Sequence, residues 1–495
     1  MGRQQEDSVV MAPGSRLPAP EVPDLVLLDA VELSWLIRRR EITCVEVMET
    51  YLRHIDRLNP AVNAIVSRAD EAGLIEQARQ RDEELDRGDP TGWMHGFPIA
   101  VKDLSHANGF PTTMGSPIFA DQVATTDDLH VRRMREAGAI VVGKTNVPEF
   151  GLGSHTFNPV FDTTLNAYDT TRSAGGSSGG AGAALALRML PVADGSDFMG
   201  SLRNPAAWGN LVSLRPGFGR IPSEGFLSEP AVVGPMGRTV RDIAMLLSTM
   251  AGPDERAPLS IEQDPELFTG NLEHDFGGAR IGWIGDFDGY LATEPGLLDL
   301  CTASFGAFTE IGCEVEPVSR RLPVEQAWET FLLWRAWTVG RKNAELHADP
   351  ATRELLKPEL IFEIEGYRRL TVDDIARALT GRDEWYAAVA GLFEDYDFLL
   401  APSAQVFPFD AGQRWPQQIG DRSMDTYHRW METVAPWTLS GLPIVNLPVG
   451  FSESGLPMGI QLIGRNHAEW PLLQLAHAYE QATDWTHRVL PPMLR

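Results

Sequence analysis

The sequence is poor in cysteine and contains no long apolar run. Three cysteines lie scattered along 495 residues, which predicts no disulfide framework and favours a reducing compartment. Every apolar run is far shorter than the roughly 20 residues of a membrane-spanning helix. The first 20 residues carry acids and prolines where a secretory signal has its apolar stretch. These absences predict a cytoplasmic protein without a membrane partner.

Basic residues are also scarce: the chain has 42 basic and 68 acidic residues, and its formal net charge is −26. So acidic a chain repels phosphate backbones, and we expect no nucleic-acid partner. The sequence contains no HExxH, no paired CxxC and no calcium loop, so we expect no metal and no other cofactor. A monomer and a homodimer both remain open.

Short β-branched runs alternate with amphipathic stretches along most of the chain. This alternation predicts an α/β fold with a twisted mixed sheet covered by helices on both faces. Residues 1–25 are proline-rich and aperiodic, which predicts an extended N-terminal arm, and residues 26–495 are expected to form one large domain. The predicted strands are 98–102, 139–143, 281–284, 397–401 and 444–448, and the predicted helices include 70–87, 128–138, 238–251, 292–312, 378–395 and 468–482.

Two segments, about 320–345 and 402–440, combine tryptophans with prolines and polar residues. Tryptophan in such segments mostly serves local packing, but aromatic loops over an α/β core also wall pockets for apolar substrates. The tryptophans concerned are Trp328, Trp334, Trp337, Trp415, Trp430 and Trp437.

Two motifs match known patterns in letters only. Residues 138–145 read GAIVVGKT, but the middle of this P-loop pattern is itself a strand, and Pro148 follows where a helix should begin. Residues 175–179 read GGSSG, the pattern of a nucleophile elbow. The polar stretch before Ser177 is not the strand that an elbow requires.

Lys102 closes the apolar run Phe97–Val101. From this stretch alone, a lysine that reaches out to solvent explains the pattern equally well. A lysine held away from water instead has a lowered pKa and can accept a proton.

Five of the eight residues 175–182 are glycine, and a second tight turn is predicted at 194–201. Each serine cluster alone is more typical of a flexible turn or a phosphate nest than of a catalytic site. Together with Lys102, they favour a hydrolase in which a neutral lysine takes the place of histidine as the base.

The segments GFPIAVKD, GKTNVPEFG, SAGGSSGGAGAA and DGSDFMGSLRNPAAWGNLVSLRP follow one another in this order, and SGLPIVNLPVGFSESGLPMGIQLIGR lies near the C-terminus. In these motifs, from about residue 29 to residue 488, the chain resembles the amidase signature family, in particular its bacterial amidases, aryl acylamidases and urethanases. The resemblance implies the amidase signature fold for residues 26–495.

The resemblance also implies a role for each matching residue. Ser201 would be the acyl-forming nucleophile, and Ser177, following a cis peptide bond, would bridge it to the base Lys102. Ser178 would support the lysine. The oxyanion hole would consist of the amides of Phe198, Met199, Gly200 and Ser201. Supporting residues would be Gly176, Asp197 and Arg203, and candidate pocket residues are Met114, Gly151, Met199, Trp334 and Trp437.

The chain departs from the family pattern around the nucleophile. Residues 196–201 read SDFMGS where the family usually has TDTGGS, so Met199 replaces a glycine and is expected to narrow the acyl pocket. Asn204 and the stretch Trp208–Asn210 differ as well. These differences affect which substrate class is expected, but the expected reaction type stays the same.

We therefore expect hydrolysis of a carbon–nitrogen acyl bond, with aryl amides and anilides favoured and carbamates as a second class. The alternatives are an esterase that uses the same site and a glutamine-dependent tRNA amidotransferase subunit. An α/β-hydrolase esterase using Ser177 and a binding protein that keeps only the fold are disfavoured.

Overall fold

The computed structural model describes residues 22–226 and 229–495. Most of the predicted arm, up to residue 21, lies outside the described residues, and its last residues already enter a helix. The α-helices are α1 (Asp24–Leu27), α2 (Ala30–Arg38), α3 (Cys44–Val62), α4 (Glu71–Asp86), α5 (Leu129–Glu136), α6 (Gly179–Ala186), α7 (Arg203–Trp208), α8 (Val240–Met250), α9 (Leu297–Ala303), α10 (Phe305–Glu310), α11 (Val324–Arg335), α12 (Arg341–Ala348), α13 (Pro350–Arg353), α14 (Pro358–Arg369), α15 (Val372–Ala390), α16 (Ala435–Ser440), α17 (Glu469–Thr483) and α18 (Trp485–Arg488).

The strands form one large sheet, one small sheet and two short hairpins. They are β1 (Ile65–Val66), β2 (Pro98–Lys102), β3 (Ile140–Thr145), β4 (Phe157–Asn158), β5 (Asp162–Thr163), β6 (Ala193–Asp197), β7 (Val212–Arg215), β8 (Val232–Gly237), β9 (Arg280–Trp283), β10 (Glu314–Pro317), β11 (Phe398–Pro402), β12 (Gln418–Ile419), β13 (Arg422–Ser423), β14 (Ile444–Phe451) and β15 (Pro457–Ile463).

The large sheet has the order β10-β9-β11-β15-β14-β7-β8-β6. Its β10, β9 and β11 run parallel, and the remaining neighbours pair antiparallel. This mixed sheet confirms the predicted α/β class. The small sheet has the order β1-β3-β2, with β2 and β3 parallel.

The local signals for helix starts work well. Thr43 caps α3 through a capping box with Glu46, the Thr-x-x-Glu pattern that marks a helix start. The predicted helix 292–312 is instead two helices, α9 and α10, separated at Ser304. The predicted helix 378–395 begins earlier, because Thr371 forms a capping box with Asp374.

The strands that carry Lys102 and Asp194 lie where the two sheets meet. Strand β6 is the edge of the large sheet and packs beside β2 of the small sheet. The Lys102 amide donates to Asp194 Oδ1 at 3.1 Å, so β2 and β6 are joined here by a backbone-to-side-chain hydrogen bond and not by backbone strand pairing. No helix of the described residues is long and apolar enough to cross a membrane.

Candidate active site

Lys102 lies at the end of β2, a strand in which every residue is buried, and its own exposed fraction is 0%. Its Nζ lies 2.9 Å from Ser177 Oγ, 2.8 Å from Ser178 Oγ and 2.9 Å from Ser196 Oγ. It also donates to the Ser196 carbonyl oxygen at 3.2 Å. The predicted solvent-reaching alternative is therefore wrong, and the amine is enclosed by serine oxygens.

Burial lowers the pKa of Lys102 from 10.5 to about 7. The carboxylates of Asp194 and Asp197 act in the opposite direction but do not cancel this effect. Near neutral pH a large fraction of the amine is consequently uncharged and has a lone pair that accepts a proton.

Ser196 belongs to this network but was not predicted. It lies in β6, on the same face as Asp194, since side chains two apart in a strand point the same way. If β6 had been predicted as a strand, the alternation of its side chains would have placed Ser196 on the same face as Asp194. The sequence instead predicted a turn from residue 194, and the turn begins only after Asp197.

The loop before α6 holds Ser177 in place through its carbonyl groups. The Gly176–Ser177 peptide bond is cis, as the resemblance implies. Ser154 Oγ donates to the Gly176 carbonyl at 2.6 Å, and Thr156 donates to the Gly175 carbonyl from its amide at 3.1 Å and its hydroxyl at 2.8 Å. The two residues that precede Ser177 are thus both bonded to the neighbouring segment 154–156.

Ser201 lies in the turn between β6 and α7 and is 7% exposed. The carboxylate of Asp197 organises this turn by accepting from the amides of Gly200 at 2.8 Å and Leu202 at 3.1 Å. Arg203 donates to the same carboxylate from Nε at 3.0 Å and Nη2 at 2.8 Å. Although burial alone would raise the pKa of Asp197, the Arg203 charge and hydrogen bonds hold it well below its usual value.

These contacts correct the predicted oxyanion hole. The Gly200 amide is occupied by the Asp197 carboxylate. The amides of Phe198, Met199 and Ser201 donate no hydrogen bond to any described residue. Gly200 has φ +80°, and a Cβ there would lie 2.8 Å from Val434, so this position requires glycine.

The two serine segments are in direct contact, because the Ser178 amide donates to the Ser201 carbonyl at 3.3 Å. Ser177 Oγ is bonded to the lysine. Ser201 Oγ has no hydrogen-bond partner within residues 22–226 and 229–495, so of the two contacts that the predicted relay needs, Lys102–Ser177 is present and Ser177–Ser201 is not. Such hydrogen bonds often tighten only when substrate binds.

Two predicted pocket residues lie beside this site. A Cβ on Gly151 would be 3.7 Å from Ser177 Oγ, so the backbone of Gly151 approaches the bridging serine closely. Met114 accepts a 2.7 Å hydrogen bond at its carbonyl from the amide of Phe150, the residue before Gly151. Met114 and Gly151 are both half-buried.

The predicted tryptophans serve packing instead. Trp437 is 0% exposed and stacks on Phe287 at 6.0 Å, so it offers no surface to a substrate, and its prediction as a pocket residue is wrong. Trp334 is buried, and its Nε1 donates to the Ala378 carbonyl at 2.8 Å in the contact between α11 and α15. Met199 is also buried, as is Ser201 beside it, so its predicted role in narrowing the acyl pocket stays a prediction.

The discarded motifs take structural roles. Lys144 lies inside β3, and its Nζ donates to the carbonyls of Ser105 at 2.7 Å and Pro111 at 3.1 Å, so residues 138–145 hold no phosphate loop. Ser177 follows no strand, and its bonded partner is a lysine rather than a histidine. Among the residues described, no group of three or more His, Cys, Asp or Glu side chains is placed to hold a metal ion.

The chain is similar to known proteins over nearly its whole length. The chain is 31% identical over 468 residues to an acylamidase from Rhodococcus erythropolis, covering 93% of this chain and 96% of that protein. It is 33% identical over 484 residues to a glutamyl-tRNA(Gln) amidotransferase subunit from Methylococcus capsulatus, covering 92% of this chain and 97% of that protein.

Among solved structures, the fold is similar to that of a bacterial aryl acylamidase of the amidase signature family. The TM-score is 0.87 at 27% identity, covering 93% of this chain and 98% of that one. The Amidase family model matches residues 46–473. The chain therefore belongs to the amidase signature family, whose enzymes hydrolyse carbon–nitrogen bonds.

Proposed function

We propose that the chain hydrolyses aryl amides and anilides through an acyl-enzyme on Ser201, with Ser177 as the relay and Lys102 as the base. The observation that carries this proposal is the buried Lys102 amine, 2.9 Å from Ser177 Oγ and with a pKa of about 7. An uncharged amine in that position is a base that works near neutral pH.

In the acylation step, Ser201 Oγ bonds to the carbonyl carbon and loses its proton to Ser177 Oγ, whose own proton passes to Lys102 Nζ. The negative oxygen of the tetrahedral intermediate is stabilised by the unoccupied amides of Phe198, Met199 and Ser201. The carbon–nitrogen bond then breaks, and the proton returns through the relay to the departing nitrogen.

Water completes the cycle along the same path. It attacks the ester on Ser201, its proton enters the Ser177–Lys102 relay, and the relay returns a proton to Ser201 as the ester bond breaks. A carboxylic acid is released. A carbamate fits the same sequence: breakage of its carbon–nitrogen bond releases the amine, and water then releases a carbonic acid monoester, which decomposes to an alcohol and CO2. An ester fits it with an alcohol as the leaving group and a carboxylic acid as the second product.

The aryl preference is supported by the likeness to a bacterial aryl acylamidase. The amidotransferase relatives, at similar identity, favour the second candidate, release of ammonia from glutamine within a multi-subunit complex. The net charge of −26 speaks against a chain that itself binds tRNA.

Both candidates are tested with purified protein on p-nitroanilides, anilides, aryl carbamates, aryl esters, aliphatic amides and glutamine. We expect the highest kcat/KM on anilides, and Ser201→Ala should abolish turnover and covalent labelling by an aryl phosphonate. Labelling that persists in Ser201→Ala would refute the assignment of Ser201 as the nucleophile. Ammonia release from glutamine alone, with no aryl amide cleaved, would select the amidotransferase role.

A further inference from the structure

Phe198 differs from its neighbours in exposure. It is half-buried, whereas every other residue from 197 to 217 is buried, including Met199. Phe198 is also part of the turn that contains Ser201. Phe198 is therefore the one large side chain of this turn that keeps an accessible surface, three positions before Ser201.

The ring is held from the other side by α11. Phe331 contacts it edge-on with ring centres 5.9 Å apart, and the Arg335 guanidinium lies 5.2 Å above the ring centre. Arg335 is itself fixed, since its Nε donates to Glu363 at 2.8 Å and its Nη2 to the Tyr427 hydroxyl at 2.7 Å. A guanidinium held in place over a ring favours the position of the ring beneath it.

We propose that Phe198 determines a preference for substrates with an aromatic group next to the scissile carbonyl, and that Arg335 is a positioning residue that fixes the Phe198 ring. The free side of a fixed ring accepts a second ring in an offset or edge-on arrangement, which an aliphatic ring of the same size cannot reproduce. This inference rests on the proposed hydrolase activity and names the residue that selects its substrate.

The test compares two pairs of amides that differ only in phenyl against cyclohexyl. One pair consists of p-nitroanilides that differ on the acyl side, and the other consists of an anilide and the N-cyclohexyl amide of the same acid, which differ on the amine side. The measured quantity is the ratio of kcat/KM for phenyl to kcat/KM for cyclohexyl. Because both substrates are measured on the same preparation, a variant that folds poorly lowers both values and leaves the ratio unchanged.

We expect Phe198→Leu, which keeps the apolar volume but removes the ring, to lower this ratio about 3- to 10-fold in one of the two pairs. Arg335→Gln should lower it in the same pair, and Arg335→Lys, which keeps a cation over the ring, should restore part of the loss. If Arg335 only stabilised the fold, Arg335→Lys would not restore the phenyl-to-cyclohexyl ratio of kcat/KM.

Phe268→Leu is the matched control. Phe268 also lies under a buried arginine, with Arg220 at 5.3 Å, but it packs against Trp470 and α8, which contain no site residue. The phenyl-to-cyclohexyl ratio of Phe268→Leu should equal that of the wild type. An unchanged ratio in Phe198→Leu for both pairs would overturn the inference alone, whereas a wild type that neither cleaves these substrates nor reacts with an aryl phosphonate would overturn the proposed function.

Discussion

Raising the pH from 5 to 9 should activate the acylation of Ser201, with a midpoint near 7. The pKa of Lys102 falls from 10.5 to about 7 because the amine is buried, which corresponds to about 5 kcal/mol against the charged form. The neutral fraction is then about 90% at pH 8 and about 10% at pH 6, whereas an ordinary lysine would be less than about 1% neutral at pH 8.

The assay is the second-order rate of Ser201 modification by an aryl phosphonate, followed by intact-protein mass. It reports one chemical step and does not depend on the natural substrate. The rate should fall about tenfold per unit below pH 7 and level off above pH 8. A rate that keeps rising tenfold per unit through pH 10, or that stays flat down to pH 5, would refute a lysine base with a lowered pKa.

Asp194→Asn tests the cause of this midpoint. The Asp194 charge raises the pKa of Lys102, so its removal should move the midpoint to lower pH. The asparagine oxygen still accepts from the Lys102 amide, and a midpoint does not depend on how much protein is active. A shift to higher pH would contradict the electrostatic account.

Three further outcomes follow from the same geometry. Gly200→Ala should slow phosphonate labelling at least about 100-fold, since the new methyl meets Val434 and displaces the turn; a rate within a few-fold of wild type would contradict this. Asp197→Asn leaves the buried Arg203 without its partner charge, and urea unfolding should show a loss of about 3–5 kcal/mol. In Lys102→Met the pH dependence of stability is informative: the unfolded lysine keeps its proton up to about pH 10.5 and the folded one only up to about 7, so wild-type stability rises with pH across that window. The free energy of unfolding of wild type relative to Lys102→Met should therefore rise by about 3 kcal/mol from pH 7.5 to pH 10, measured by urea unfolding at both pH values.

Local sequence carried much of the fold prediction. All five predicted strands are present within one residue at their starts, because each is a short run of mostly apolar residues. Strand β6 was missed, since its sequence ADGSD consists mostly of residues that disfavour strands. It is a strand because β8 pairs with it along its whole length, and that pairing is a tertiary fact.

The glycine-rich stretch shows the same division. Its composition predicted close backbone approach, and the structure shows what is approached: a Cβ on Gly179 would collide with Thr156, and one on Gly180 with the amide of Asn146. The pocket residues were harder, because a tryptophan in a polar segment looks the same whether it faces a cleft or, like Trp437, a neighbouring helix.

By itself, the sequence determined which chemical groups are available: the lysine at the end of an apolar strand, the two serines in their motifs and the aspartate before the turn. Motifs reveal these groups because each is a short stretch of chain. Only the tertiary structure decided that Lys102 meets Ser177, 75 positions away, that Ser196 joins them, and that the Gly200 amide is occupied. It also decided the pKa of the lysine, because desolvation depends on everything packed around the amine and not on its neighbours in the chain.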